Sequence, residues 1–272
     1  MKTCWRIRDL TIFILLALII PSAPAKEKEQ PKPQTPANLV WPLPPDKPRV
    51  KFLEMYANNF DIEPKRKQGW MDKMVGNADP NQTEVFYQPA GLAVDSKGQL
   101  YIVSTQKGEI YIVNKEKHQV IRMVGDRGMR FQVPIGVAVD AHDNFFVADA
   151  KAHAVYKFNP DRTIAGSFGV DALKNPTYIS LDEARRRVYV VDTKLHQVLV
   201  YNMDSLQLVS TVGKRGEKNG QFNFPIAVAV APNGNFAVTD TGSCSVQVFD
   251  PDYKFLRRIG KQGTLPGQFV RP

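Results

Sequence analysis

From residue 86 onward, short apolar runs alternate with clusters of turn-forming residues, and the alternation recurs. Its clearest stretch runs Ile135-Gly-Val-Ala-Val-Asp140, then Phe145-Phe-Val-Ala148, then Ala154-Val-Tyr-Lys-Phe158, then Thr163 to Phe168. Between these lie Ala141-His-Asp-Asn144, Asp149 to His153 and Asn159-Pro-Asp-Arg162, all turn chemistry. Runs of this length, rich in Val, Ile, Phe and Tyr and bounded by Gly, Pro, Asn and Asp, predict short antiparallel strands. The first run of each unit is apolar nearly throughout, as a strand covered on both faces requires. Matching runs are Gly91-Leu-Ala-Val-Asp95, Tyr178-Ile-Ser-Leu-Asp182 and Ile226-Ala-Val-Ala-Val230, each followed by two or three more.

The unit is punctuated by Pro89, Pro134, Pro176, Pro225 and Pro272, spaced 45, 42, 49 and 47 residues apart. Four short strands recurring at such a period predict an all-β fold, a β-propeller of four-stranded blades. Four units are complete and a fifth is opened at Pro272. Because an unclosed ring leaves a bare blade face, residues beyond Pro272 are expected.

Details of the unit resemble the NHL repeat. The matching residues are the Pro-x-Gly-x-Ala-Val-Asp opening, the aspartates Asp149, Asp192 and Asp240 closing the second strand, and the linker runs Gly220-Gln-Phe222 and Gly267-Gln-Phe269. Tyr178 and Ala227 replace the opening glycine in the third and fourth units. The lead Trp41-Pro-Leu-Pro-Pro-Asp-Lys-Pro-Arg-Val-Lys-Phe-Leu53 is similar to the start of exported bacterial NHL propellers. That resemblance implies six blades, of which four to five are encoded here.

The N-terminus reads differently. Lys2, Arg6 and Arg8 precede an apolar run from Leu10 to Ile20, and Ala23-Pro24-Ala25 follows. This is the pattern of a signal peptide spanning 1–25 and cut after Ala25, too short to remain as a membrane span. The expected location is therefore periplasmic or secreted, with no transmembrane segment. Cleavage lowers the formal charge from +9 to +7, since Lys2, Arg6, Arg8 and Asp9 leave. Only Cys244 then remains, so no intramolecular disulfide is expected. Residues 26–48 form a Pro- and Lys-rich tether, with Trp41 expected to dock on the domain it leads into. Residues 49–85 hold lead-in strands and a short basic amphipathic helix from Pro64 to Gly76, and 86–272 hold the blades.

Chemistry is sparse. No Gly-x-Ser-x-Gly, His-Glu-x-x-His or phosphate-binding glycine loop occurs. In a propeller the linkers between blades and the loops after each second strand share one face. That face receives Arg127, Arg130, Lys214, Arg215 and Lys218 from the linkers, and His153 and His196 from the loops. Tyr178 stands at the opening of the third unit. These eight residues are the candidate partner-binding set, since a basic face attracts anionic partners. His153, His196 and Cys244 invite a zinc reading. Equivalent points on successive blades lie roughly 10 Å or more apart, because a second strand sits about 5 Å outside the first, and zinc needs ligand atoms within about 2.3 Å. Neither a metal nor another cofactor is expected, and the strand-closing aspartates read as structural caps. The expectation is a non-enzymatic, exported, monomeric scaffold for a protein or an anionic glycan, not for nucleic acid. The alternative is a metal-dependent propeller enzyme of lyase or lactonase type.

Overall fold

The computed structural model describes residues 40–42, 45, 47, 49–64 and 84–272. The expected signal peptide, most of the expected tether and the expected amphipathic helix lie outside the described residues. The chain divides into two compact units at Glu54/Met55. In the first, β1 (Val40–Trp41) pairs antiparallel with β2 (Val50–Lys51), and Trp41 lies opposite Val50 with 67% of its surface exposed.

The second unit carries four antiparallel four-stranded sheets. Blade 1 comprises β3 (Pro89–Val94), β4 (Leu100–Ser104), β5 (Glu109–Asn114) and β6 (Gln119–Met123). A small hairpin follows, β7 (Gly125–Asp126) and β8 (Met129–Arg130). Blade 2 is β9 (Pro134–Val139), β10 (Phe145–Asp149), β11 (Ala154–Phe158) and β12 (Ile164–Phe168). Blade 3 is β13 (Pro176–Asp182), β14 (Arg187–Asp192), β15 (Gln197–Asn202) and β16 (Leu208–Val212). Blade 4 is β17 (Pro225–Val230), β18 (Phe236–Asp240), β19 (Ser245–Phe249) and β20 (Phe255–Ile259). Each sheet keeps chain order, and β3, β9, β13 and β17 stand side by side as the inner strands. Pro89, Pro134, Pro176 and Pro225 each open an inner strand next to a register shift, where a missing N–H costs no ladder bond.

The core is a series of seams between blades, which is why the strands are apolar on both faces. Tyr101, Ile110 and Ile112 of blade 1 pack with Val137, Phe145 and Phe158 of blade 2. Phe146 and Val155 continue to Val188 and Val190 of blade 3, and Tyr189 and Val191 to Phe236 and Phe249 of blade 4. Each linker drops one apolar plug into its seam: Phe131, Leu173 and Phe222, all buried. The opening glycines have a steric cause. A Cβ on Gly91 would stand 2.5 Å from the Ile135 carbonyl, and one on Gly136 2.7 Å from that of Thr177. At the seam between blades 3 and 4 the Thr177 hydroxyl reaches the Ile226 carbonyl instead, at 3.3 Å.

The free face of blade 1 is covered by the lead-in. Asn58 bridges Val85 in antiparallel fashion, and Ile62 and Phe86 pack on Ile102, Tyr111 and Val113. Glu63 accepts the Val120 N–H at 2.8 Å, and His118 Nδ1 lies 3.3 Å from the Ile62 carbonyl. Sequence patterning placed a strand pair within Val50 to Phe60. Its two ends pair separately, Val50–Lys51 with β1 and Asn58 with Val85. An end repeat in a stacked array needs such a cover for its apolar face.

Candidate loop-face binding site

The aspartate closing each second strand builds the loop face. Asp149 accepts N–H groups from Gln132 and Val133 of the linker and from Lys151 and Ala152 of the loop. Asp192 does the same for Lys174, Asn175, Lys194 and Leu195. One carboxylate thus pins the linker before the blade and the loop inside it to one point. A buried, acceptor-only side chain suits a place where four backbone donors converge.

Blade 4 departs from this scheme. Asp240 accepts from Asn223 N–H and the Ser243 hydroxyl through Oδ2 alone, and its Oδ1 is buried without a partner. The donor that blade 2 sends to this oxygen, Val133 N–H, has its counterpart in Phe224 N–H. That group turns instead to Nδ1 of His196, at 3.2 Å. Phe224 sits at φ +68°, a left-handed conformation costing a bulky residue about 1–2 kcal/mol. Its ring rests 4.9 Å from the His196 ring and is 50% exposed.

The linker before it, residues 213–224, is held throughout. Phe222 N–H reaches the Lys214 carbonyl at 2.9 Å, and Gly216 N–H reaches the Phe222 carbonyl at 3.0 Å. Gln247, fully buried on β19, accepts Gly220 N–H at 2.9 Å and donates to the Gln221 carbonyl at 2.6 Å. Arg258 of β20 donates to the Glu217 and Lys218 carbonyls at 2.7 and 3.0 Å. Lys214, Arg215 and Lys218 are therefore exposed side chains on a fixed backbone.

The eight expected residues fall into separate places. Arg127 and Arg130 are exposed on the β7–β8 hairpin, which is tied to the outer strand of blade 2 by Ile164 N–H to Asp126 at 2.9 Å. Lys214, Arg215 and Lys218 sit over the outer strands of blade 4, so blade 3 separates the two basic loops. Tyr178 is half-buried on inner strand β13 and His196 is buried at the blade 3–4 seam. His153, one blade earlier, is exposed. Its counterpart donor, Asn175 N–H, goes to Asp192. Cys244, in the equivalent place of blade 4, donates to the Thr241 and Val270 carbonyls. Among the described residues no three His, Cys, Asp or Glu side chains cluster as metal ligands.

The described residues line clefts at the rim and on the loop face. One of about 320 Å³ lies at the rim, lined by Arg122, Asp126, Asp161 and Arg162 among others. Another of about 220 Å³ lies on the loop face of blade 4, between Glu217, Ser243, Cys244, Arg258 and Gln262.

Residues 222–249, from the linker plug through β19, match the family model of the NHL repeat. The four blades have the fold of a β-propeller, and one stretch of them carries an NHL repeat. Among curated proteins, the chain is 26% identical to peptidyl-glycine alpha-amidating monooxygenase of Mus musculus over 145 residues, 47% of this chain and 15% of that protein. It is 32% identical to the E3 ubiquitin-protein ligase NHLRC1 of Rattus norvegicus over 98 residues, 36% of this chain and 24% of that protein. The chain thus spans a quarter or less of these curated relatives. Among solved structures, a catalytically inactive virginiamycin B lyase from Staphylococcus aureus with quinupristin superposes with TM-score 0.55 at 11% identity, over 71% of this chain and 60% of that one. A gluconolactonase from Xanthomonas campestris gives 0.51 at 19% identity, over 68% and 66%. The nidogen/laminin complex gives 0.50 at 20% identity, over 66% and 68%. At these identities the likeness is one of fold.

Sequence reasoning passed over Phe224. The signal was present, because the residue before each anchor proline is Gln88, Val133 and Asn175 in the earlier units, and only here an aromatic.

Proposed function

We propose that this NHL propeller is a non-enzymatic binding scaffold that works after export and offers its loop face to a protein or glycan partner. The observation that carries the reading is the clamped 213–224 linker, which displays Lys214, Arg215 and Lys218 on a backbone fixed from both outer strands of blade 4. A rigid display lowers the ordering cost of binding, and a basic one raises the rate of encounter with anionic partners.

The rival is a metal-dependent propeller enzyme, of the lyase or lactonase kind represented among the structural neighbours. Printed glycan and peptide arrays, probed with the wild-type chain and with Lys214→Ala/Arg215→Ala/Lys218→Ala, separate the two together with elemental analysis after dialysis. The scaffold reading predicts a metal-free protein whose array signal falls in the triple variant. A stoichiometric metal that survives dialysis, or a signal unchanged by the substitutions, contradicts it.

A further inference from the structure

The geometry points to an acidic-sugar site on the inner part of the loop face, built from Phe224, His196, Lys174 and Lys194, for a chain of uronic-acid residues. It rests on the scaffold reading above and gives that reading a ligand class.

The first observation is a double sacrifice at one residue. Phe224 occupies the left-handed region at φ +68°, although it is neither glycine nor a small polar residue. Its N–H serves His196, and Asp240 Oδ1 is buried without a donor, since neither that N–H nor loop N–H groups like those that fill Oδ1 of Asp149 and Asp192 reach it. Gln88, before Pro89, shares the left-handed backbone; at Phe224 it coincides with an aromatic side chain and a neighbouring orphaned buried acceptor, and such a coincidence marks a place where the conformation serves something besides stability. What the conformation achieves is visible. It lays a half-exposed phenyl ring over the His196 ring at the mouth of inner strand β17.

The second observation is charge on the neighbouring loops. Lys174 and Lys194 come from different segments, yet their backbone N–H groups bind the same Asp192 carboxylate. Thr193, next to Lys194, donates to the Pro225 carbonyl at 2.7 Å, directly after Phe224. Both lysines are exposed, and among the described residues neither has an acidic partner. A half-exposed aromatic ring, with two lysines lacking acidic partners on the segments tied to the same loop cluster, fits a ligand with a flat apolar face and spaced carboxylates. A pyranose uronate is such a ligand. A single-stranded nucleic acid fits less well, because its sites offer successive stacking platforms, whereas the equivalent positions here are Gln88, Val133 and Asn175.

The test is calorimetric titration of the full chain with octagalacturonate, its methyl ester, polyuridylate and polyglutamate. The expected result is binding of octagalacturonate that weakens with salt, with little binding of the uncharged ester. Phe224→Asn keeps a residue tolerant of the left-handed region; it is expected to leave the melting temperature unchanged or higher and to weaken binding at least tenfold. Lys174→Ala/Lys194→Ala changes only exposed side chains, and the same loss is expected of it. Equal or tighter binding of polyuridylate or polyglutamate overturns the sugar assignment. So does octagalacturonate binding that survives both variants, and so does the absence of binding to all four probes. A Phe224→Asn chain that melts well below wild type makes Phe224 a packing residue and overturns its role as a platform. If array signal still depends on Lys214, Arg215 and Lys218 while these variants bind normally, the scaffold reading stands and the sugar site falls.

Discussion

Single polar residues decide where neighbouring blades meet. Asp143, in the first turn of blade 2, accepts the Ser96 N–H and hydroxyl of blade 1, each at 2.9 Å, and pairs with Lys97 at 3.3 Å. Those bonds, the backbone one foremost, hold its carboxyl below the ordinary carboxylate range. A carboxylate with a depressed pKa stabilises the fold above its unfolded value of about 3.9, and that contribution fades as pH falls further. Asp143→Asn suits the left-handed φ of +64°, keeps one acceptor oxygen and removes the charge with the other. It is expected to cost about 1 kcal/mol at pH 7, read from the urea midpoint. The gap to wild type is expected to narrow below pH 4. A gap that persists unchanged at pH 3 assigns the loss to something other than the carboxylate. The same scale shows what a linear reading conveys. Asp149 and Asp192 were legible as caps from their place before a turn. The tilt of Phe224 was not, because it depends on which of two acceptors, His196 or Asp240, receives one N–H across 28 or 16 residues of chain.

Among the elements, the linkers do more than connect. Each folds back so that one apolar side chain plugs a seam, and Phe222 is fully buried against Val212 of blade 3 and Phe249 of blade 4. Phe222→Ala is expected to destabilise by about 3–5 kcal/mol. It is also expected to loosen the 213–224 loop, seen as faster hydrogen exchange at Gly216 and Gln221 than at Val238. Loss of stability with those amides still protected separates the plug from the display of Lys214 and Lys218. Strands and turns were readable from the apolar alternation because burial on both faces writes itself as continuous runs such as Tyr189-Val-Val191. The lead-in was less readable. Its cover of blade 1 rests on Ile62, Phe86 and one Glu63 carboxylate, contacts that reach across up to 57 residues and leave no periodic trace.

At the scale of the whole molecule, the two rims of the blades have different jobs. On one, turns lock to turns: Ser96 to Asp143, Ala141 to Glu183, Arg185 to Asn233. On the other, linkers and loops leave Lys174, Lys194, Lys214, Arg215 and Lys218 exposed, together with half-exposed Phe224. The basic set foreseen from sequence as one face is divided in the fold between blades 2 and 4, since radial position is invisible in a linear repeat. The most direct measurement is lysine-acetylation footprinting by mass spectrometry, with and without octagalacturonate. The account predicts protection at Lys174 and Lys194 while Lys117 and Lys254, in turns on the opposite rim, label as before. Protection of Lys117 or Lys254, or no change at Lys174 and Lys194 under saturating ligand, contradicts it.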